Sequence, residues 1–105
     1  MNSHQIAKPA LFWILLKYQY KFAIELIENF GADATILNQN KSNLLHILFA
    51  NYNMNLKYAS KLADLLIEKG VCLNLIDREH KTPLLVALKK SQIEAVKYAH
   101  NFNTN

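Results

Sequence analysis

Histidine and cysteine are among the side chains of this sequence that could bind a metal ion or attack a substrate. The four histidines, His4, His46, His80 and His100, lie far apart, and none has a second ligand at the spacing of a metal site. Cys72 has no adjacent basic residue to stabilise a thiolate. A glycine-rich phosphate loop and a serine nucleophile elbow are also missing from the sequence. We therefore expect no enzyme, no catalytic residue, no metal and no cofactor.

Short helices are the elements that would position functional side chains. Apolar residues recur with helical spacing over 44–48 and 62–67, and Gly70 follows where a left-handed residue would end a helix. Asn43 precedes the first segment and can accept a backbone N–H of its first turn. The spacing predicts a helix, a connection, a second helix and a glycine stop.

This helix pair occurs three times along the sequence. Gly31 lies 39 residues before Gly70, and residues 23–30 match residues 62–69 position by position. Downstream, Thr82 is placed as a helix N-cap with Pro83 as the first helical residue, and two further apolar segments follow. The sequence therefore predicts three similar units of two helices each.

Several short fragments make the repeat resemble a known family, the ankyrin repeat. These fragments are Gly31-Ala32-Asp33, Leu45-His46, Asn74, and Asp77 with Thr82-Pro83-Leu84. The resemblance implies an all-α solenoid of stacked helix-turn-helix units with short β-hairpin fingers. It also implies that the His46 imidazole bonds to neighbouring backbone and fixes the turn before its helix.

The repeats set the expected domain organisation. The sequence departs from the family pattern at Lys41 and His80, where a turn glycine is usual, and between the helices of the second repeat, where extra residues are inserted. We expect a leader at 1–8, an ankyrin domain at 9–103 with repeats at 9–37, 38–76 (insertion near 53–58) and 77–103, and a tail at 104–105.

Composition narrows the classes of partner and compartment. The net charge of +4 comes from scattered residues without a basic stripe, so nucleic acid is not an expected partner. The apolar run from Ala10 to Leu16 is far shorter than the ~20 residues of a membrane span. A single cysteine excludes an internal disulfide and fits a reducing compartment. We expect an intracellular, cytoplasmic protein.

The first predicted helix is apolar around most of its circumference. Phe12, Trp13 and the nearby Tyr20 would form an N-terminal interface if they face solvent. The alternative is that Phe12 and Trp13 pack inward between the first two repeats. The second helix, 20–30, is predicted to place Phe22, Ala23, Leu26, Ile27 and Phe30 on its buried face.

The resemblance implies a module that binds a partner protein through its fingers and its concave helix face. The positions that the family uses for contacts correspond here to Lys17, Tyr18, Gln39, Asn40, Ser42, Ala50, Asn51, Arg78, Glu79, Lys81, Lys89 and Lys90. The basic members of this set predict an acidic partner surface. The alternatives are a structural subunit or homodimer docked through the N-terminal helix and, third, an IκB-like inhibitor.

Overall fold

Six helices in three pairs account for most of the part of the chain that the structure describes. The structure is a computed structural model and describes residues 9–52 and 56–103. Its helices are α1 Ala10–Leu16, α2 Tyr20–Phe30, α3 Leu44–Ala50, α4 Leu56–Glu68, α5 Pro83–Lys89 and α6 Ile93–Asn103. The predicted leader, residues 53–55 of the predicted insertion and the tail lie outside the described residues. Residues 56–58 of that insertion form the first turn of α4.

The helix boundaries follow the capping residues that the sequence predicts. Asn43 Oδ1 accepts the N–H of His46 (3.1 Å), and Thr82 Oγ1 accepts the N–H of Leu85 (3.2 Å). Gly31 ends α2 in the left-handed conformation, with φ of 69°. The predicted caps of α3 and α5 and the predicted glycine stop of α2 are therefore confirmed.

The helices pack as two layers. The first helices of the three pairs form an inner layer, in which α3 contacts both α1 and α5. In the outer layer α2 packs on α4, and the Tyr98 hydroxyl of α6 donates to Asp64 Oδ1 of α4 (2.6 Å). The core lies between the layers and between successive pairs, so no pair can bury its apolar face alone.

The buried face of α2 differs from the predicted one. Ala23 and Ile27 are buried as expected, but Phe22 is 49% exposed and Phe30 is 76% exposed. Tyr20 and Ile24 take their place in the core. The prediction was wrong for the two phenylalanines because helical spacing gives the width of an apolar face, whereas the neighbouring helices decide which part of it is covered.

Two tight turns, one before α3 and one before α5, take the place of the predicted fingers. In the first, Asn38 Oδ1 accepts the backbone N–H groups of Asn40 (2.9 Å) and Ser42 (3.0 Å). In the second, Asp77 Oδ1 accepts those of Glu79 (2.8 Å) and Lys81 (3.0 Å). Neither turn is flanked by paired strands within 9–52 and 56–103, so side-chain acceptors hold the finger tips here.

A left-handed residue occupies the same place in both turns. Lys41 has φ of 60° and His80 has φ of 63°, the conformation that a glycine adopts without a penalty from Cβ. The amide N–H groups of both residues still donate across their turns, to Asn38 O (2.9 Å) and Asp77 O (3.0 Å). The missing glycines therefore strain these turns without abolishing them.

We predict that Lys41→Gly stabilises the chain by about 0.5–1 kcal/mol, because relief of the left-handed strain exceeds the extra entropy of an unfolded glycine. The free energy of unfolding in urea measures the effect. Gln39→Gly, in the same turn but at a residue with negative φ, is the matched control and should destabilise. An equal loss of unfolding free energy in both variants would contradict the claim that Lys41 is strained.

Candidate functional site

A groove of about 450 Å³ lies between the two finger turns and the exposed faces of α3 and α5. Its lining contains seven of the predicted contact residues, Asn40, Ser42, Ala50, Glu79, Lys81, Lys89 and Lys90. The remaining lining residues are His46, Ile47, Asp77 and Val86. The structure thus brings positions from two repeats into one concave site.

The two finger turns that bound the groove are bonded to each other. The Arg78 N–H donates to Asn40 O (2.9 Å), and Arg78 Nε donates to Gln39 O (2.9 Å). The Asn40 side-chain amide donates to Ser42 Oγ (3.2 Å) and lies 3.4 Å from Asp77 Oδ2. One bond joins main chain to main chain and the others use side chains, so backbone and side-chain groups together fix the spacing between the turns.

His46 joins the inner helix of the second repeat to the turn that precedes α5. The N–H of Asn43 donates to His46 Nδ1 (3.0 Å), which places the ring proton on Nε2. His46 Nε2 then donates to Lys81 O (2.8 Å). The ring is 2% exposed, so its bond with Asn43 is buried, and its bond with Lys81 is partly buried. The second turn is therefore held in position by a buried side chain from the preceding repeat.

The groove carries positive charge at its helix end and mixed charge at its finger end. Lys81 Nζ lies 2.7 Å from Glu79 Oε1, whereas among the described residues no carboxylate pairs with Lys89 or Lys90. Burial alone would raise the pKa of Asp77, but the backbone N–H donors of Lys81 and Glu79 hold it below its usual value. Asp77 thus stays ionised beside the groove.

This arrangement of paired helices, bonded turns and a bridging histidine agrees with the comparison of the sequence with protein families. The model of ankyrin repeats, in three copies, matches residues 11–103. The chain belongs to the ankyrin repeat family. No curated protein matches it. Ankyrin repeats are in general non-enzymatic modules for protein–protein interaction.

The remaining predicted contact positions of this ankyrin protein do not line the groove. Gln39 and Arg78 are exposed at the finger tips, where they bond to each other. Lys17 and Tyr18 are exposed just after α1. Asn51 is half-buried, and its carbonyl accepts the Tyr20 hydroxyl (3.2 Å). These positions remain predictions as partner contacts.

The predicted N-terminal interface divides into two parts. Phe12 is 0% exposed and Tyr20 is 1% exposed, and burial raises the pKa of Tyr20 to about 12. Both side chains pack inside the repeat stack, so their assignment to a solvent-facing interface is corrected. Trp13, in contrast, is 51% exposed.

Ile47, Val86 and Asp77 were not predicted as part of the site, although the sequence contains a signal for each. Ile47 and Val86 are both the fourth residue of their seven-residue inner helices, so aligning the helices places them together. Asp77 corresponds to Asn38 of the preceding turn, since each accepts two backbone N–H groups. Comparing the repeats in register would have found all three.

Other kinds of site have little support in the described part of the chain. Residues 9–52 and 56–103 contain no group of three or more His, Cys, Asp or Glu side chains that could hold a metal ion. No helix in these ranges is long and apolar enough to cross a bilayer. Cys72 is a free, exposed thiol.

We predict that His46→Leu destabilises the chain by about 1–3 kcal/mol, because the buried Asn43 N–H loses its acceptor, whereas the Lys81 carbonyl still accepts the Asp77 N–H (3.0 Å). Urea unfolding measures the loss. His100→Leu, the same change at an exposed position of α6, is the control and should have little effect. Leucine itself is tolerated at the equivalent place in α5, where Leu85 is 44% exposed. A His46→Leu variant as stable as the control would show that the bridge contributes nothing.

Proposed function

We propose that this ankyrin repeat protein is a non-enzymatic adaptor that binds a partner protein in the groove between its second and third repeats. The observation that carries the proposal is the groove itself, which gathers both finger turns and the exposed faces of α3 and α5 around one cavity. A cavity of about 450 Å³ accommodates a few side chains of a bound segment.

The bonding around the groove favours binding at low entropic cost. The finger turns are joined by the Arg78 bonds and held by His46, so the binding surface is ordered before a partner arrives. A surface that is already rigid avoids much of the conformational entropy loss that association otherwise incurs. The partner therefore meets a preformed site.

The charge of the groove supports an acidic partner. Lys89 and Lys90 lie at its helix end and pair with no carboxylate of the described residues. Carboxylates of a partner would supply that pairing, and a basic groove also steers acidic partners during encounter. The exposed thiol of Cys72 fits the reducing interior of a cell, where we place this adaptor, in the cytoplasm.

We predict that random twelve-residue peptides displayed on phage yield binders to this chain, and that Ala50→Arg weakens their binding at least about tenfold by filling the groove. Ala10→Arg, the same change at an exposed site of α1, is the matched control and should bind like the unmodified chain. Raising salt from about 0.1 M to about 1 M should weaken binding, since the Debye length falls from about 10 Å to about 3 Å.

Two results would contradict this proposal. One is a failure of the unmodified chain to enrich any peptide. The other is binding that Ala50→Arg leaves unchanged. If Ala50→Arg weakens binding but salt does not, the groove would be supported as the binding site and the proposal of an acidic partner would be wrong.

A structural subunit or homodimer is the second candidate function, and one observation favours it. Phe22, Leu26 and Phe30 recur every four residues along α2, and both phenylalanines are largely exposed. The opposite flank of α2, with Lys21 and Glu28, faces α4. The apolar stripe therefore lies on the side away from the second repeat, where another subunit could dock. No residue favours the IκB-like role.

We predict that the purified chain is a monomer of 12.1 kDa by light scattering, as an adaptor with a free concave groove should be. Phe30→Glu should leave this mass unchanged. A dimer that Phe30→Glu dissociates, while the surface control Glu28→Lys does not, would instead support docking through the α2 stripe.

A further inference from the structure

The three inner helices are in register, which extends the concave face beyond the groove. Each has seven residues and begins directly after its cap position, at Pro9, Asn43 and Thr82. Their fourth residues are therefore equivalent, as are their seventh residues. These six residues, which we call the inner row, are Trp13, Leu16, Ile47, Ala50, Val86 and Lys89.

Burial confirms that the inner row lies on one face. Its four members from α3 and α5 all line the groove. The two members from α1, Trp13 and Leu16, are 51% and 37% exposed, while Leu11, Phe12 and Leu15 on the other side of α1 are buried. The register of the three helices therefore places Trp13 and Leu16 on the same side as the groove residues.

The inner row changes chemistry along the stack. It is aromatic and aliphatic in the first repeat, with Trp13 and Leu16, and small at Ala50 in the second. In the third repeat it is basic at Lys89, beside Lys90. A partner that covers the whole row must present an apolar side chain at one end and negative charge at the other.

The spacing of the helices sets the length of that partner segment. Packed helices lie about 8–10 Å apart, so two steps separate Trp13 from Lys89 by roughly 16–20 Å. An extended chain advances about 3.3 Å per residue, so five or six residues span this distance. Nucleic acid fits less well, because Asp77 and Glu79 line the finger end of the groove and would repel a continuous polyanion.

We propose that the concave face binds an extended acidic peptide segment, with an apolar side chain on Trp13 and Leu16 and carboxylates, five or six residues away, on Lys89 and Lys90. This inference rests on the proposed function and goes further, since it specifies the chemistry and spacing of the bound segment. It also adds the first repeat to the binding site.

The test is a selection of random twelve-residue display peptides against the unmodified chain and against charge-reversed variants. Peptides enriched by the unmodified chain should carry an apolar residue separated by five or six positions from acidic residues. Lys89→Glu with Lys90→Glu should replace the acidic preference by a basic one and weaken the original peptides at least about tenfold. Lys57→Glu with Lys61→Glu, the same reversal on α4, is the matched control and should alter neither the preference nor the affinity.

The apolar end of the row is tested separately. Trp13→Ser should abolish the preference for an apolar residue in the peptide and keep the preference for acidic residues. Trp13→Leu should retain the preference for an apolar residue. Because Trp13 is the single tryptophan of the chain, its fluorescence should also change when a selected peptide binds the unmodified protein.

The outcomes separate this inference from the function on which it rests. One outcome is that the enriched peptides lose binding to the Ala50→Arg variant but contain no acidic residues or no fixed spacing. This outcome would overturn the inference and leave the groove as the binding site. Equal effects of the two charge reversals would also overturn it, as would tighter binding of a ten-nucleotide single-stranded DNA than of any peptide. A chain that enriches no peptide would overturn both.

Discussion

The bond from His46 to the carbonyl of Lys81 is the constraint on which the binding surface depends. It runs from a buried imidazole in the inner helix of one repeat to the half-buried Lys81 in the turn that opens the next. The same imidazole accepts the N–H of Asn43, so the cap of α3 and the turn before α5 share one side chain. A shift of either element would leave a buried polar group unpaired, at a cost of about 1–3 kcal/mol. The groove between the turns is therefore a consequence of how the repeats are joined.

The fold could be predicted from local signals because the repeats contain residues that set where their helices begin and end. The N-caps at Asn43 and Thr82, the left-handed Gly31 and the spacing of apolar residues all concern neighbours within a few positions. The range of α2 follows from these signals to the residue. Part of the site followed in the same way, since seven predicted contact residues line the groove.

What the sequence could not supply is the identity of each residue's neighbour in another repeat. Tyr20 was expected at a surface and is buried, and Phe12, for which a surface and an inward position were both open, is also buried. Phe22 and Phe30 were expected in the core and are exposed. All four belong to the first repeat, which has a packing neighbour on one side only among the described residues. Apolar character alone cannot say which flank of such a helix is covered, because either choice satisfies the helical period.

The repeat architecture explains why the residue types on the concave face can be related to a binding partner. Positions that join repeats are fixed by packing or bonding, so Leu45, His46 and Phe49 are buried and their substitution affects stability. Inner-row positions lie on one face of their helices and are half-buried or exposed, and the fold carries Trp13, Ile47 and Val86 at one equivalent place. It likewise carries Leu16, Ala50 and Lys89 at another. Because the fold does not require these differences, the change from aromatic to basic along the row is the feature that a binding partner would account for.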